Sequence, residues 1–369
     1  MRKILLLVSL CCVACCTAGQ SVEKQTQERE VKNIIYMIGD GMGLAHVSML
    51  QIEGKYEPTV FDQADNVALI TTYSANNRVT DSAAAGTALA CGYKTNNSMV
   101  GVTPDSVEVR SIMKKAHDKN FATGFAVTCY IQHATPAAFY AHLTDRDDKQ
   151  KANEDFIASG VDVAFGGGRV YFERFDKDYV QTLTNAGYNV LLDEEQLSTA
   201  QGDKVVGLFA DRAMNKILEG RGDYLANATA KALELLDKNV EKNSREGFVL
   251  MVEGSKIDYR THDHESEAIL AEMRDFEKAI KVAKEYADNH PGTLVVVCAD
   301  HETAGTTIVS NESDFRLSES GIEYKYSTRG HSGVMVPVYL YGTGAEAING
   351  VMDNTELSWK LQELIGVKE

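Results

Sequence analysis

Four short segments constrain the fold more than anything else in the chain. "VKNIIYMIGDG" (31–41), "FATGFAVTCYIQHAT" (121–135), "GFVLMVEG" (247–254) and "GTLVVVCADH" (292–301) are continuously apolar and rich in β-branched residues. Such runs suit strands buried on both faces, as in a parallel sheet covered by helices. Helical patterns lie between them. In "ILAEMRDFEKAIKVAKEYA", Ile269, Met273, Phe276, Ile280, Ala283 and Ala287 recur at three- and four-residue steps. Strands alternating with helices predict a doubly wound α/β sheet, whose ligands sit outside the carboxyl ends of the strands. "VMVPVYLYG" (334–342) reads as a late strand that Pro337 places at an edge. The stretches 147–245 and 309–328 read as surface helices and loops, and "FGGGR" (165–169) as a tight turn.

Each of the four runs ends in polar residues: Asp40, then His133 and Thr135, then Glu253, then Asp300 and His301. One strand ending in an acid is ordinary, but four ending in metal-competent side chains exceed what capping explains. Asp258 and His262 stand four residues apart and would face the same way on a helical turn. His331 is flanked closely by glycine in "RGHSG", as close approach to a site requires, whereas His264 of "HDHE" reads as a surface residue. Together these groups outnumber the ligands of a single ion. Asp and His without cysteine suit catalytic zinc, and Asp, Glu and a Thr hydroxyl suit magnesium. A multi-metal site follows, of the kind that clamps the attacking and leaving oxygens of an in-line displacement.

The attacking oxygen is sought in "VTDSAAAGTALACG" (79–92), where Asp81 and Ser82 stand directly ahead of Ala83, Ala84, Ala85 and Gly86. Asp and Ser are favoured helix N-caps and Ala is the best helix former, so capping is one reading. The other is a nucleophile, Ser82, seated at a helix N-terminus that favours negative charge, with tiny neighbours leaving room for a bulky anion. Arg146, in "HATPAAFYAHLTDRD" (133–147), carries the guanidinium suited to bidentate contact with phosphate oxygens.

At 369 residues with a net charge of −16, the chain lacks the basic balance of a nucleic-acid binder. An anionic substrate stays open, because bound metal ions invert the local field. "MRKILLLVSLCCVACCTAGQ" reads as an export signal (1–19), followed by a polar tether (20–31). Cleavage after Ala18 or Gly19 fits the small residues there. "CVAC" also permits lipid attachment at Cys15 or Cys16, the only membrane contact expected. Export to the periplasm is the expectation. Beyond the signal only Cys91, Cys129 and Cys298 remain, an odd count that reads as buried free thiols.

These stretches, "IGDGMG" (38–43), "TDSAAAGTA" (80–88), "HATPAAFYAH" (133–142), "VEGSKID" (252–258) with His262, "CADH" (298–301) and "HSG" (331–333), together resemble the alkaline phosphatase family in order and content. The resemblance implies a three-layer αβα sandwich around a mostly parallel sheet, with residues 32–369 as a single catalytic domain. It implies a phosphate monoester hydrolase acting on small phosphorylated compounds through a phosphoserine at Ser82, with two zinc ions and one magnesium. By the same resemblance, Asp258, His262 and His331 hold the zinc on the leaving-oxygen side. Asp40, Asp300 and His301 hold the zinc that activates Ser82, while Asp40, Thr135 and Glu253 hold magnesium. Arg146 clamps phosphoryl oxygens and Asp81 orients it. The family includes homodimers, but no residue here specifies an interface. Two positions depart from the family pattern. His133 resembles the mammalian state, where the enterobacterial type has an acid, and Tyr259 matches neither the lysine nor the histidine found there. The short segment ahead of His331 leaves no room for the mammalian crown.

Three rivals remain at this level. A phosphodiesterase would find Arg146 competing with its second ester group, and a sulfatase would need a C/S-x-P-x-R pattern in place of "TDSAAAG". A non-catalytic exported metal-binding protein would have no use for Ser82 beside Arg146.

Overall fold

The computed structural model describes residues 30–312 and 321–369, so the export signal and nearly all of the tether lie outside the described residues. Among those residues the strands are β1 (Asn33–Gly39), β2 (Asn66–Thr71), β3 (Ala122–Tyr130), β4 (Val163–Gly167), β5 (Asn189–Leu191), β6 (Val205–Leu208), β7 (Phe248–Gly254), β8 (Thr293–Cys298), β9 (Glu302–Thr303), β10 (Thr307–Ser310), β11 (Ile322–Lys325), β12 (His331–Ser332), β13 (Val336–Gly342) and β14 (Gly350–Asp353). The helices are α1 (Leu44–Glu53), α2 (Ser82–Cys91), α3 (Ile112–Asp118), α4 (Ala134–Ala137), α5 (Lys149–Ser159), α6 (Arg169–Glu173), α7 (Tyr179–Asn185), α8 (Tyr224–Asn243), α9 (Lys256–Asp263), α10 (Ser266–Asn289) and α11 (Asn354–Leu364).

Ten strands form one sheet in the order β14-β2-β13-β8-β1-β7-β3-β4-β6-β5. All neighbours run parallel except β13, which is antiparallel to both β2 and β8. The four apolar runs become β1, β3, β7 and β8. They sit side by side at the centre, where burial on both faces requires continuous apolar sequence. Helices flank the sheet in an αβα sandwich. The stripe from Ile269 to Ala287 on α10 is buried throughout, each large apolar side chain contributing about 1.5–3 kcal/mol. Phe276 of that stripe seats against Gly254, where a Cβ would come within 2.8 Å of its ring.

Several sequence expectations give way here. The 147–245 stretch is not all surface: it contributes β4, β5 and β6 to the sheet. "FGGGR" is the end of β4 followed by a turn at Gly168, whose φ is 113°. The stretch 309–328 holds most of the β10–β11 hairpin. Pro337 is not on an edge strand, since β13 lies between β2 and β8. It stands at the start of β13, before pairing with β8 begins at Tyr339, so its missing N–H breaks no ladder bond on that side. The tiny residues of α2 also have a packing reason. Every residue of that helix is buried, and a Cβ on Gly86 would meet the Ala138 Cβ at 3.2 Å. The small residue at Gly86 lets α2 pack closely on the α4 segment.

Candidate active site

The nucleophile candidate sits at the first turn of α2. Asp81 is the N-cap, its Oδ1 accepting from the Ala84 N–H at 2.9 Å. Its Oδ2 accepts from the Ser98 N–H at 2.9 Å and from Arg146 Nη1 at 3.2 Å. One carboxylate therefore caps the helix and fixes the guanidinium. Ser82 is buried, and its Oγ lies 3.3 Å from His301 Nε2.

Around Ser82 the strand ends deliver three clusters with metal-ligand geometry: Asp258, His262 and His331; Asp40, Asp300 and His301; and Cys129, His133 and Glu253. Within each, the candidate ligand atoms lie inside 4.8 Å of one another. The four-residue spacing on α9 brings His262 Nε2 to 3.1 Å from Asp258 Oδ2, and His331 Nε2 lies 3.7 Å from Asp258 Oδ1. His301 Nε2 lies 3.5 Å from Asp40 and 3.4 Å from Asp300. Gly41, at φ 73°, lets the backbone pass close by, since a Cβ there would strike Thr303 Oγ1 at 2.5 Å.

The residues fit divalent ions. Both oxygens of Asp40, Thr135 Oγ1, Glu253 Oε1 and Asp300 Oδ2 are buried without a hydrogen-bond partner. Carboxylates so buried are costly unless a cation meets them. Burial, and then the like charges of Asp300, Asp258 and Glu253, push the Asp40 carboxyl well above its usual range. Burial likewise lifts Glu253 and Asp300 to about 7. Burial would raise Asp258 too, but the hydrogen bond from His262 and the charges of His301 and His331 hold it well below the usual range. Burial keeps His301 and His133 neutral, the state in which an imidazole ligates.

His133 packs edge-on to Tyr130 and Tyr259, with ring centroids 5.1 and 5.9 Å away, and its Nε2 is 3.4 Å from Arg146 Nη2. Tyr259 thus borders the cluster through His133. Lys256, one turn earlier on α9, lies 5.4 Å from the Tyr259 ring centroid. His264 takes the structural role expected, bonding the Thr328 carbonyl at 2.8 Å and stacking on Tyr326.

Some participants were not visible in the sequence. His331 Nδ1 faces the Thr80 carbonyl at 2.8 Å, and His262 Nδ1 faces the Arg329 carbonyl. These contacts orient each ring so that Nε2 points into the site. Thr303 Oγ1 donates to Asp258 Oδ1 at 2.5 Å. Cys129 Sγ lies 3.2 Å from Glu253 Oε2. Backbone acceptors carry no sequence signal, and Cys129 was hidden inside an apolar run.

An αβα sandwich whose strand ends gather carboxylates and imidazoles around a buried seryl hydroxyl defines a class, the metal-dependent phosphoesterases. Comparison narrows it. Residues 31–318 match the family model described as alkaline phosphatase. Alkaline phosphatase 3 of Bacillus subtilis is 31% identical, over 92% of this chain and 90% of its own. Alkaline phosphatase 4 of the same organism is 34% identical, over 83% and 71%. The structure of alkaline phosphatase from the Antarctic bacterium TAB5 superposes with a TM-score of 0.84 at 35% identity, covering 92% of this chain and 100% of that one. A variant of that enzyme, with a histidine exchanged for aspartate, holds magnesium in a site designated M3 (TM-score 0.84, 34% identity, 93% and 100% covered). The chain belongs to the alkaline phosphatase family, and it is a metal-binding hydrolase of that kind.

Proposed function

We propose that the protein hydrolyses phosphate monoesters of small compounds through a phosphoseryl intermediate on Ser82. The observation that carries this reading is the arrangement at the start of α2: Ser82 beside His301, with Asp81 tying the helix cap to Arg146. Asp258, His262 and His331 would hold one zinc ion, Asp40, Asp300 and His301 a second, and Asp40, Thr135 and Glu253 a third divalent ion, which the family resemblance gives as magnesium. Bound there, divalent ions supply Lewis acidity that stabilises negative charge on oxygen. Arg146 grips two phosphoryl oxygens, and Asp81 fixes the plane of its guanidinium. Ser82 Oγ gives up its proton to solvent and forms the bond to phosphorus as the ester oxygen leaves on the opposite side, taking up a proton to depart as the alcohol. Water then displaces the seryl oxygen, which takes back a proton. Arg146 favours a monoester, because a second ester substituent would crowd the oxygens it holds, so the diesterase reading is not preferred; nor is the sulfatase reading, because "TDSAAAG" lacks the C/S-x-P-x-R pattern.

Residues 32–369 act as one catalytic domain in this reading, and the protein is exported to the periplasm by its amino-terminal signal. Intact-mass measurement of the native protein tests export, and retention of Met1 would refute it. Ser82→Ala tests the chemistry: aryl phosphate turnover should fall by roughly three orders of magnitude or more while metal content is unchanged. Near-normal turnover would exclude the phosphoseryl route.

A further inference from the structure

The resemblance assigns magnesium to the third cluster on the strength of Asp40, Thr135 and Glu253. The structure adds a donor of another kind. Strands β3 and β7 pair in parallel with Val127 opposite Glu253. Two residues further on, on the same face, Cys129 reaches the end of β7. Its backbone N–H is fixed by Ser255 Oγ at 3.1 Å, and its sulfur lies 3.2 Å from Glu253 Oε2. Cys129 and Glu253 are fully buried, and His133 is nearly so. Glu253 Oε1, Thr135 Oγ1 and His133 Nδ1 have no hydrogen-bond partner. A thiol, an imidazole and a carboxylate thus converge within 4.8 Å of one another at a place already short of positive charge.

We propose that Cys129, His133 and Glu253 form a mixed sulfur, nitrogen and oxygen site that selects zinc over magnesium at the third cluster. Magnesium demands hard oxygen donors in octahedral array and sheds water reluctantly. Thiolate and imidazole favour zinc and other borderline or soft transition metals. On binding, the Cys129 thiol releases its proton to solvent and the sulfur lone pair makes the metal bond. The other cysteines among the described residues lie elsewhere: Cys91 bonds the Val109 and Ala138 carbonyls, and Cys298 lies beside Tyr36.

The proposal rests on the reading that the third cluster holds an ion, and the experiment separates the two. The full-length protein is stripped with chelator and titrated with cobalt(II), and its near-ultraviolet spectrum is recorded. A parallel sample is equilibrated with zinc and excess magnesium, desalted, and its metals counted. The unmodified protein should show a thiolate-to-cobalt charge-transfer band and retain a third zinc against magnesium. Cys129→Ser should lose the band and exchange one zinc for magnesium. Absence of the band in the unmodified protein, a measurement that needs no variant, overturns the proposal. So does a Cys129→Ser protein with an unchanged zinc-to-magnesium ratio. If Glu253→Gln loses an ion while Cys129→Ser changes nothing, the selectivity fails and the metal site stands. If Glu253→Gln keeps every ion, both fail.

Discussion

Glu253→Gln isolates the electrostatic cost of assembling the third cluster before any ion arrives. In the metal-free protein, burial holds the Glu253 carboxyl at about 7 against an ordinary 4.5. A carboxyl raised in the folded state contributes stability that is complete below its unfolded value and lost as pH climbs through the folded value. Ionisation across that window therefore removes about 3 kcal/mol, at about 1.4 kcal/mol per pH unit. Glutamine carries no such penalty, although it weakens the contact from Cys129 Sγ, worth about 1 kcal/mol. The net gain for the stripped variant at about pH 8 is then about 2 kcal/mol, or roughly 3 °C in Tm for a chain of this length. At about pH 5, where the wild-type carboxyl is mostly protonated, the gain should vanish. Calorimetry of both proteins in chelator at the two pH values reads this out. With ions restored the order should reverse, since the variant has lost a charged ligand. A stripped variant that melts below stripped wild type by the same margin at both pH values would refute the reasoning.

Arg146→Ala should slow monoester turnover and weaken phosphate inhibition by about 10–100-fold, the worth of a charged bidentate contact, and should affect diester turnover much less. Equal losses on both substrates would remove Arg146 from the phosphoryl group. His133→Asp should lower the magnesium concentration at which the third cluster takes up magnesium in place of zinc, because it replaces a neutral imidazole with a hard anionic donor beside Asp40 and Thr135. Tyr259→Lys should tighten phosphate inhibition by adding an ammonium one residue beyond Asp258. If neither titration shifts, these two positions do not tune the site.

The central sheet was legible because a strand buried on both faces leaves a continuous apolar run, and β1, β3, β7 and β8 are such runs. Their polar ends were legible for the same reason: Asp40, Glu253 and Asp300 interrupt a pattern that otherwise excludes charge. Strands β4, β5 and β6 escaped because they are short, and β4 ends in glycines that read as a turn. Polar letters also misled in the same region. Arg221 lies within the stretch 147–245 that reads as surface, yet it is buried and paired with Glu272 and Asp275 of α10. Cys129 failed in the opposite way, since a cysteine inside "FAVTCY" counts as apolar until its neighbour across the sheet is known.

The bond between His331 and the Thr80 carbonyl joins positions 251 residues apart in the chain. The candidate ligands of the first metal cluster, Asp258 and His262 on α9 and His331 on β12, are thus held against a segment from the other end of the chain. An ion held there would clamp α9, β12 and the start of α2 together. Its binding free energy would then add to the stability of the whole fold, and a chelator should loosen segments far from one another in the chain.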